Sequence, residues 1–506
     1  MNVVVIGNGM VGSRFVDDLV ARDPEARVTV LGKERHLPYN RVLLSSVVAG
    51  KTVPESLAMA TADSDRVRTL TGVPAIDVDR EARTVTDAAG GVHPYDRLVF
   101  ATGSQARIPS IQGVATDRGL LPGASVLKDL DDAQGIVGAL PKARRAVVLG
   151  AGVLGLEVAT GLAARGLAVT LVHHADRLME RQLGSAASQI AAGSLERLGV
   201  RVVTETSVAR VLDRRGVLSA VTLTDGTEVL TDLLVMCAGT IPEAALARRA
   251  GLPCERGILV GADLGSPIDS HVFAIGDCAQ PPEGGSGLVA QGWDQGKRLV
   301  DAWVRADAPV AASTDLGEAD DDELDPTNVV RVKALGLEVV TMGLSGKFDH
   351  GERELRAVRM ADPAIGRFVE VVVSHGLLVG ATIVGDKQCA SELSAMYTRM
   401  LPVPSDPAHL IIRPLAGAGR PAAVAVEDMA DDHTVCQCNS VPKGRIVAAV
   451  ADGCTSVDEV SRATRASTGC GDCRSLVGDI IRTCGAAAEA GASADAEGKV
   501  PALAGK

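Results

Sequence analysis

The sequence predicts a multidomain α/β protein, and three observations support this fold class. A chain of 506 residues is too long for one hydrophobic core. Over much of the N-terminal part, short Val, Ile and Leu runs alternate with Ala-rich helical stretches, which indicates parallel sheets built from βαβ units. Later strand-like runs predict a small α+β domain. Between the C-terminal cysteines, an apolar stripe (Ile446, Val447 and Val450) and a capping-box signature from Ser456 to Glu459 predict a small helical domain.

Two of the βαβ units open with the same G-x-G-x-x-G spacing directly after an apolar strand. The first glycine makes a tight turn, the second lets the backbone approach a pyrophosphate, and the third allows close helix packing. The helix that follows offers free N–H groups to the phosphates. The sequence therefore predicts two Rossmann-like dinucleotide-binding domains. Their glycines are Gly7, Gly9, Gly12, Gly150, Gly152 and Gly155.

Side chains after the second strand of each unit are candidate ribose contacts. Glu34 can accept hydrogen bonds from adenosine ribose hydroxyls, and the alternative is a solvated surface glutamate. In the second unit the corresponding strand ends at Val172 with no acid at its tip. Since a ribose 2′-phosphate repels an acid, His173 and Arg177 are candidate NAD(P)H contacts, and the pattern favours NADPH.

Two further segments end in small residues after apolar strands: Ala-Thr-Gly at Gly103 and Gly-Asp at Asp277. With the glycine motifs, they resemble the two-dinucleotide-binding-domain flavoproteins that include glutathione reductase and ferredoxin reductases. The resemblance implies a glutathione-reductase-like fold with Thr102, Gly103, Gly276 and Asp277 at FAD. A helix N-cap is an alternative role for Asp277.

The same resemblance implies that a disulfide reductase would carry its redox-active cysteine pair in the N-terminal part of the first domain. No cysteine precedes Cys237, so a dithiol at that position is excluded. Electrons must leave the flavin by another route. Cys237, Cys254, Cys278 and Cys389 stand alone in the sequence, and we interpret them as small buried residues.

The C-terminal cysteines form C-x-C at Cys436 and Cys438, and C-x-x-C at Cys470 and Cys473. Four thiolates suit either tetrahedral zinc or an iron–sulfur cluster. Structural zinc rarely uses C-x-C, which favours the cluster. The segment resembles bacterioferritin-associated ferredoxin domains, and this resemblance implies that the four cysteines hold a 2Fe-2S cluster.

The order of motifs up to about residue 484 resembles the large subunit of NAD(P)H-dependent nitrite reductases and the electron-transfer subunits of assimilatory nitrate reductases. Further matching stretches lie over 39–45, 178–183, 287–290 and 378–381. The resemblance implies that Arg41 and Ser45 lie along FAD, and that Leu288 and Val289 lie near the flavin ring.

The predicted domain boundaries follow from these motifs and from changes in composition. Strand-like runs over 329–332, 337–342, 368–373 and 377–384, with a helix near 391–400, define the α+β domain, which resembles a reductase dimerisation domain. Acidic or Pro/Ala-rich tethers are expected over 311–325 and 414–434. The predicted parts are an FAD domain (1–120 and 240–310), an NAD(P)H domain (121–239), the α+β domain (328–413), the 2Fe-2S domain (434–484) and a disordered tail (485–506).

We expect an electron-transfer reductase in which NAD(P)H reduces FAD and the cluster passes electrons to a separate terminal reductase. No sirohaem or molybdopterin domain is recognisable, so the partner is a molybdenum nitrate reductase or a sirohaem nitrite reductase. Two alternatives are enzymes: a ferredoxin or rubredoxin reductase, and a flavoprotein subunit of an amino-acid or opine oxidase. A non-enzymatic alternative is an iron-sensing or docking module.

Charge and hydropathy limit the partners and the location. A net charge of −12 disfavours binding to nucleic acid or to anionic membranes and suits a basic-faced protein partner. No apolar run has membrane-spanning length, and no secretory signal is visible at the N-terminus. A cytoplasmic location is therefore expected.

Overall fold

The computed structural model describes most of the chain, in two compact units over Met1–Arg413 and Pro414–Lys506. The described residues are 1–59, 61, 64–117, 119–304, 328–346, 355–412, 426, 429–436, 441–469, 471 and 473–484. The predicted tether over 311–325 and the predicted tail over 485–506 lie outside this set, as does most of the tether over 414–434.

The N-terminal segment builds a parallel sheet and a small antiparallel meander. Strand β1 lies between β2 and β7, parallel to both, and β3 adds to the far side of β2. Strands β4, β5 and β6 form the separate meander. The elements are β1 (Asn2–Ile6), α1 (Met10–Arg22), β2 (Arg27–Gly32), α2 (Leu44–Val48), β3 (Val67–Thr71), β4 (Ala75–Asp79), β5 (Thr84–Asp87), β6 (Val92–Pro94), β7 (Arg97–Phe100) and β8 (Ser104–Ala106).

The middle segment repeats this plan. Its five-stranded parallel sheet has the order β11-β18-β12-β13-β14, with β12 as central as β1 is in the first sheet, and β15 to β17 form its meander. The elements are β9 (Ala115–Thr116), β10 (Gly119–Leu120), β11 (Ala124–Val126), α3 (Leu130–Ala139), β12 (Arg145–Leu149), α4 (Val153–Ala164), β13 (Ala168–Val172), α5 (Ser185–Arg197), β14 (Val200–Val203), β15 (Val208–Arg214), β16 (Val217–Leu223), β17 (Glu228–Leu230) and β18 (Leu233–Met236).

The chain then returns to the first sheet, where β22 pairs parallel with β7. The completed sheet has the order β21-β22-β7-β1-β2-β3, and α7 packs on α1 with the Trp303 and Phe15 ring centroids 5.5 Å apart. The elements are β19 (Thr240–Pro242), α6 (Ala245–Arg249), β20 (Ile258–Leu259), β21 (Gly265–Ser266), β22 (Asp269–Ala274), β23 (Ala279–Gln280) and α7 (Val289–Val304).

A five-stranded antiparallel sheet follows, with α8 on one face. The other face packs against the second dinucleotide fold through side chains that include Phe368 and Val384. The predicted helix near 391–400 begins earlier, because the Asp386 side chain caps the Cys389 N–H. The elements are β24 (Val329–Lys333), β25 (Glu338–Gly343), β26 (Arg356–Asp362), β27 (Arg367–Ser374), β28 (Leu377–Val384) and α8 (Lys387–Thr398).

The second unit is small and mainly helical. Its buried core includes Ile446, Val460 and Val477, and the Ser456 capping box predicts the start of its second helix correctly. The elements are β29 (Thr434–Cys436), β30 (Val441–Pro442), α9 (Lys443–Ala451), α10 (Val457–Thr464) and a final helix α11 (474–484). The predicted fold class is confirmed. Among the described residues, no helix combines the length and hydropathy needed to span a bilayer.

Candidate dinucleotide and iron–sulfur sites

The first glycine loop leaves open space at its second glycine. A Cβ on Gly7 would lie 2.1 Å from the Ala101 carbonyl oxygen, and one on Gly12 would lie 2.4 Å from the Gly7 carbonyl oxygen. Both positions therefore require glycine. A Cβ on Gly9 would meet only Arg41 Nε, at 3.8 Å. The loop thus fits a ligand that approaches the backbone at Gly9, as a pyrophosphate does.

Polar side chains surround this loop. The Tyr39 hydroxyl donates to Glu34 at 2.7 Å and accepts the Leu130 N–H at 2.9 Å, while Arg41 forms an ion pair with Glu34. Burial raises the pKa of Tyr39 well above its usual range. The Glu34 carboxylate is therefore held by two neighbouring side chains, while 30% of the side chain stays exposed. The buried Asn8 Nδ2 has no hydrogen-bond partner among the described residues, so it is a donor available to a ligand.

Asp277 lies in a 3-10 turn, Gly276–Cys278, whose N-cap is Ile275, so the alternative role of Asp277 as a helix N-cap is wrong. Its carboxylate accepts the Ser104 hydroxyl at 2.7 Å and lies 3.6 Å from the Lys128 ammonium. Burial lowers the pKa of Lys128, and Asp277 offsets part of this effect. The sequence interpretation missed Lys128, because no motif marks it.

The remaining predicted flavin contacts lie at the ends of two elements. Thr102 and Gly103 follow β7, where the Thr102 hydroxyl donates to the Glu243 carbonyl at 2.6 Å. A Cβ on Gly103, whose φ is +71°, would meet nothing within 4 Å. Leu288 and Val289 are half-buried at the start of α7. All four positions leave atoms accessible to a ligand.

Ser45 lies in a buried contact between two domains. Its side chain is 3% exposed and its hydroxyl donates to Glu157 at 2.5 Å. The other Glu157 oxygen accepts the Lys333 N–H at 2.8 Å. This carboxylate therefore joins α2, α4 and β24, and the sequence interpretation missed Glu157 as well.

The second glycine loop has the same geometry as the first. A Cβ on Gly150 would lie 2.3 Å from the Cys237 carbonyl oxygen, and one on Gly155 would lie 1.8 Å from the Gly150 carbonyl oxygen. A Cβ on Gly152 would meet nothing within 4 Å. The two loops thus present equivalent openings, each suited to a pyrophosphate.

His173 supports the second loop from a buried position. Its Nδ1 accepts the Ala151 N–H at 3.2 Å, so the ring proton lies on Nε2, which donates to Glu180 at 2.9 Å. Burial lowers the pKa of His173. Arg177 donates to the carbonyls of Leu183 and Glu180 and so holds the turn after β13. The structure therefore brings His173 to the loop and engages Arg177 in backbone contacts.

The single cysteines of the first unit lie in unreactive surroundings. Cys278 and Cys389 are buried, whereas Cys237 and Cys254 are partly buried. Burial raises the pKa of the Cys237 thiol to about 12, which disfavours the thiolate at neutral pH. Burial also raises the pKa of the Cys254 and Cys278 thiols, so these three cysteines are poor nucleophiles.

The second unit brings two of the four predicted ligands together. Cys436 and Cys473 are buried and their thiols are in contact, which raises the pKa of Cys473 far above its usual range. Cys438 and Cys470 lie outside the described residues. The Ser467 Oγ lies 3.4 Å from Cys473 Sγ. Adjacent thiols from the two motifs fit a cluster that both motifs share.

Two protein families match the chain. Residues 1–297, more than half of it, match the pyridine nucleotide-disulphide oxidoreductases. Residues 434–483 match the BFD-like [2Fe-2S] binding domain. The predicted cofactors FAD, NAD(P)H and a 2Fe-2S cluster are those of these families, and the two open glycine loops and the paired thiols fit them.

Two curated relatives are similar to this chain along 95% of its length. A nitrite reductase [NAD(P)H] of Bacillus subtilis is 32% identical, and the chain covers 57% of it. The assimilatory nitrate reductase electron transfer subunit of the same species is 29% identical, and the chain covers 59% of it. The chain thus spans little more than half the length of these relatives.

A solved structure extends the comparison to the fold. The covalent putidaredoxin reductase–putidaredoxin complex superposes with a TM-score of 0.69 at 26% identity, covering 81% of this chain and 95% of that chain. The predicted family resemblance is confirmed. This chain belongs to the pyridine nucleotide-disulphide oxidoreductase family and carries a BFD-like [2Fe-2S] binding domain towards its C-terminus.

Proposed function

We propose that this protein oxidises NAD(P)H and passes the electrons through FAD and a 2Fe-2S cluster to a separate terminal reductase. The main support is the combination of two open glycine loops in one unit with contacting Cys436 and Cys473 thiols in the other. Similarity along the chain to a nitrite reductase and to a nitrate reductase electron transfer subunit favours nitrate or nitrite assimilation.

In this proposal the first fold holds FAD. The open backbone at Gly9 and the Arg41 guanidinium would contact the pyrophosphate. Glu34, which already accepts from Tyr39 and Arg41, would accept ribose hydroxyls with its remaining lone pairs. The half-buried Lys128 ammonium lies 3.6 Å from the Asp277 carboxylate, on the proposed flavin side of this fold. Gly7 and Gly12 shape the loop, Ser45 anchors α2 behind it, and Asp277 with Gly276, Thr102, Gly103, Leu288 and Val289 form the flavin side.

The second fold binds NAD(P)H through Gly150, Gly152 and Gly155. His173 orients the Ala151 N–H from below the loop, and Arg177 holds the adjoining turn. His173 is therefore a positioning residue rather than a cationic phosphate ligand, because burial lowers its pKa. NADH and NADPH both remain candidate donors.

Bound FAD accepts a hydride as two electrons and releases electrons singly, which is the chemistry that a 2Fe-2S acceptor requires. The protein positions the nicotinamide and excludes side reactions. Cys436, Cys438, Cys470 and Cys473 hold the cluster. The N-terminal part of the first domain supplies no dithiol, because the sequence has no cysteine before Cys237.

The terminal reductase is a molybdenum nitrate reductase or a sirohaem nitrite reductase in this proposal. A basic-faced partner suits the net charge of −12, which also disfavours nucleic acid and anionic membranes. We place this reaction in the cytoplasm.

Anaerobic reconstitution tests the proposal. The purified chain is mixed with NADH or NADPH while flavin absorbance and the electron paramagnetic resonance (EPR) signal of the reduced cluster are followed. Each terminal reductase is then added with its own substrate. We expect flavin bleaching, then a cluster signal, then nitrite or ammonia formation, with product lost in Cys473→Ser while flavin bleaching remains.

Two results would contradict this function. A colourless, iron-free protein would exclude the electron path, and intact bleaching without product from either terminal reductase would exclude the assimilatory role. Absence of bleaching by both nucleotides would instead favour an iron-sensing or docking module.

A second candidate is a ferredoxin or rubredoxin reductase. The superposition on putidaredoxin reductase in complex with putidaredoxin favours it, since that reductase has a separate small redox protein as partner. Reduction of an added ferredoxin by the Cys473→Ser variant at the wild-type rate would support this second function. Electrons would then reach ferredoxin without passing through the chain's own cluster.

A further inference from the structure

Ser467 is a buried hydroxyl beside a predicted cluster ligand. Its side chain is 9% exposed, and its Oγ lies 3.4 Å from Cys473 Sγ. The Ser467 backbone has a φ of +66°, in the left-handed region. This conformation favours glycine over a residue with a side chain, so Ser467 is held there at a conformational cost.

The direction of this hydrogen bond follows from the chemistry of the ligand. A cysteine that ligates iron is a thiolate without a proton, so its sulfur can only accept. The Ser467 hydroxyl must then donate to Cys473 Sγ. Reduction of the cluster adds negative charge that spreads onto the ligand sulfurs, and a donor at the sulfur stabilises the reduced state more than the oxidised state.

We propose that Ser467 raises the reduction potential of the 2Fe-2S cluster through a hydrogen bond to the Cys473 sulfur. This inference rests on the proposed role of Cys473 as a cluster ligand. Ser467 acts through that cysteine and is a positioning and tuning residue. A higher potential favours electron transfer from FAD into the cluster and sets the driving force towards the partner.

Two substitutions distinguish the effect of the Ser467 hydroxyl from the effect of its strained backbone. Ser467→Ala and Ser467→Gly both remove the donor, but Gly relieves the left-handed strain whereas Ala retains it. Ser461→Ala is the matched control: its Oγ is buried in α10 of the same unit and has no hydrogen-bond partner among the described residues. All variants are made in the full chain and purified anaerobically.

The measurement is a redox titration of each protein, with the EPR signal of the reduced cluster as readout. We expect Ser467→Ala and Ser467→Gly to shift the midpoint potential in the negative direction by similar amounts, with unchanged iron content. Ser461→Ala should keep the wild-type potential. Activity is not needed for this readout.

The titration distinguishes failure of the tuning role from failure of the proposed function. Unchanged potentials in both Ser467 variants, or shifts of opposite sign in Ala and Gly, would overturn the tuning role while leaving the electron path intact. A wild-type chain without any 2Fe-2S signal would overturn the proposed function, and the tuning role with it.

Discussion

The Ser45 hydroxyl donates a 2.5 Å hydrogen bond to the buried carboxylate of Glu157, across the boundary between the two dinucleotide folds. Glu157 also accepts the Lys333 N–H from the antiparallel sheet domain. One buried acid thereby connects three parts of the first unit. Its desolvation is offset by these two donors, which makes the contact sensitive to loss of either.

Ser45→Ala is expected to destabilise the first unit by about 1–3 kcal/mol, because one oxygen of a buried carboxylate loses its donor. The measurement is the thermal unfolding midpoint together with the flavin content of the purified protein. If Ser45 acts as a domain contact, the midpoint falls while FAD remains bound. Loss of FAD without a change in the midpoint would instead support a direct contact between Ser45 and FAD.

Gly152→Ala should leave the fold intact but weaken NAD(P)H binding. Its backbone is extended and its new Cβ would meet no protein atom within 4 Å, so only a ligand at the loop would contact the methyl group. We expect the Kd for NAD(P)H to rise at least about tenfold, or about 1.4 kcal/mol.

Two matched substitutions control this prediction. Gly138→Ala on α3, where a Cβ also meets nothing, should leave binding unchanged. Gly155→Ala should destabilise the domain, since its Cβ would lie 1.8 Å from a carbonyl oxygen. Wild-type affinity in Gly152→Ala would show that the nucleotide does not approach this backbone.

The buried His173 should make the first unit less stable in mild acid. Burial lowers the pKa of His173 in the folded chain, whereas an unfolded histidine titrates near about 6.5. Below that pH the unfolded chain binds the proton more readily, so the free energy of unfolding falls as pH falls, by at most about 1.4 kcal/mol per pH unit for one group. The lowered pKa of Glu180 adds a further loss at lower pH.

His173→Gln removes this titration, so its unfolding midpoint should depend less on pH than that of the wild type between about pH 7.5 and 5.5. His409→Gln, at an exposed position, serves as the control. Identical pH dependence in wild type and His173→Gln would mean that His173 does not stay neutral in the folded state.

Lys128→Ala should weaken FAD retention at least about tenfold, because a half-buried cation that faces the Asp277 carboxylate on the proposed flavin side is removed. Lys128→Arg should retain more flavin, since it restores the charge. The measurement is the ratio of flavin to protein absorbance after dialysis. Lys142→Ala, on the surface, is the control, and equal flavin loss in both alanine variants would exclude a specific role for Lys128.

Local patterns predicted much of this fold because they report backbone constraints that act over a few residues. The glycine spacings at 7–12 and 150–155, the strands β24, β25, β27 and β28, and the Ser456 capping box all agree with the structure. Strand β26 was not predicted from the sequence. It is an edge strand, and its arginines interrupt the apolar run that would have marked it. The early start of α8 follows from the Asp386 cap.

The sequence by itself determined the two glycine loops, the cysteine pattern and the absence of a dithiol before Cys237, because each depends on residue type and short spacing. Only the tertiary structure decided that Glu157 meets Ser45, that Lys128 faces Asp277, and that His173 is buried beneath Ala151. Those partners are far apart in sequence, and packing of separate elements sets both their contacts and the burial that lowers the pKa of Lys128 and of His173.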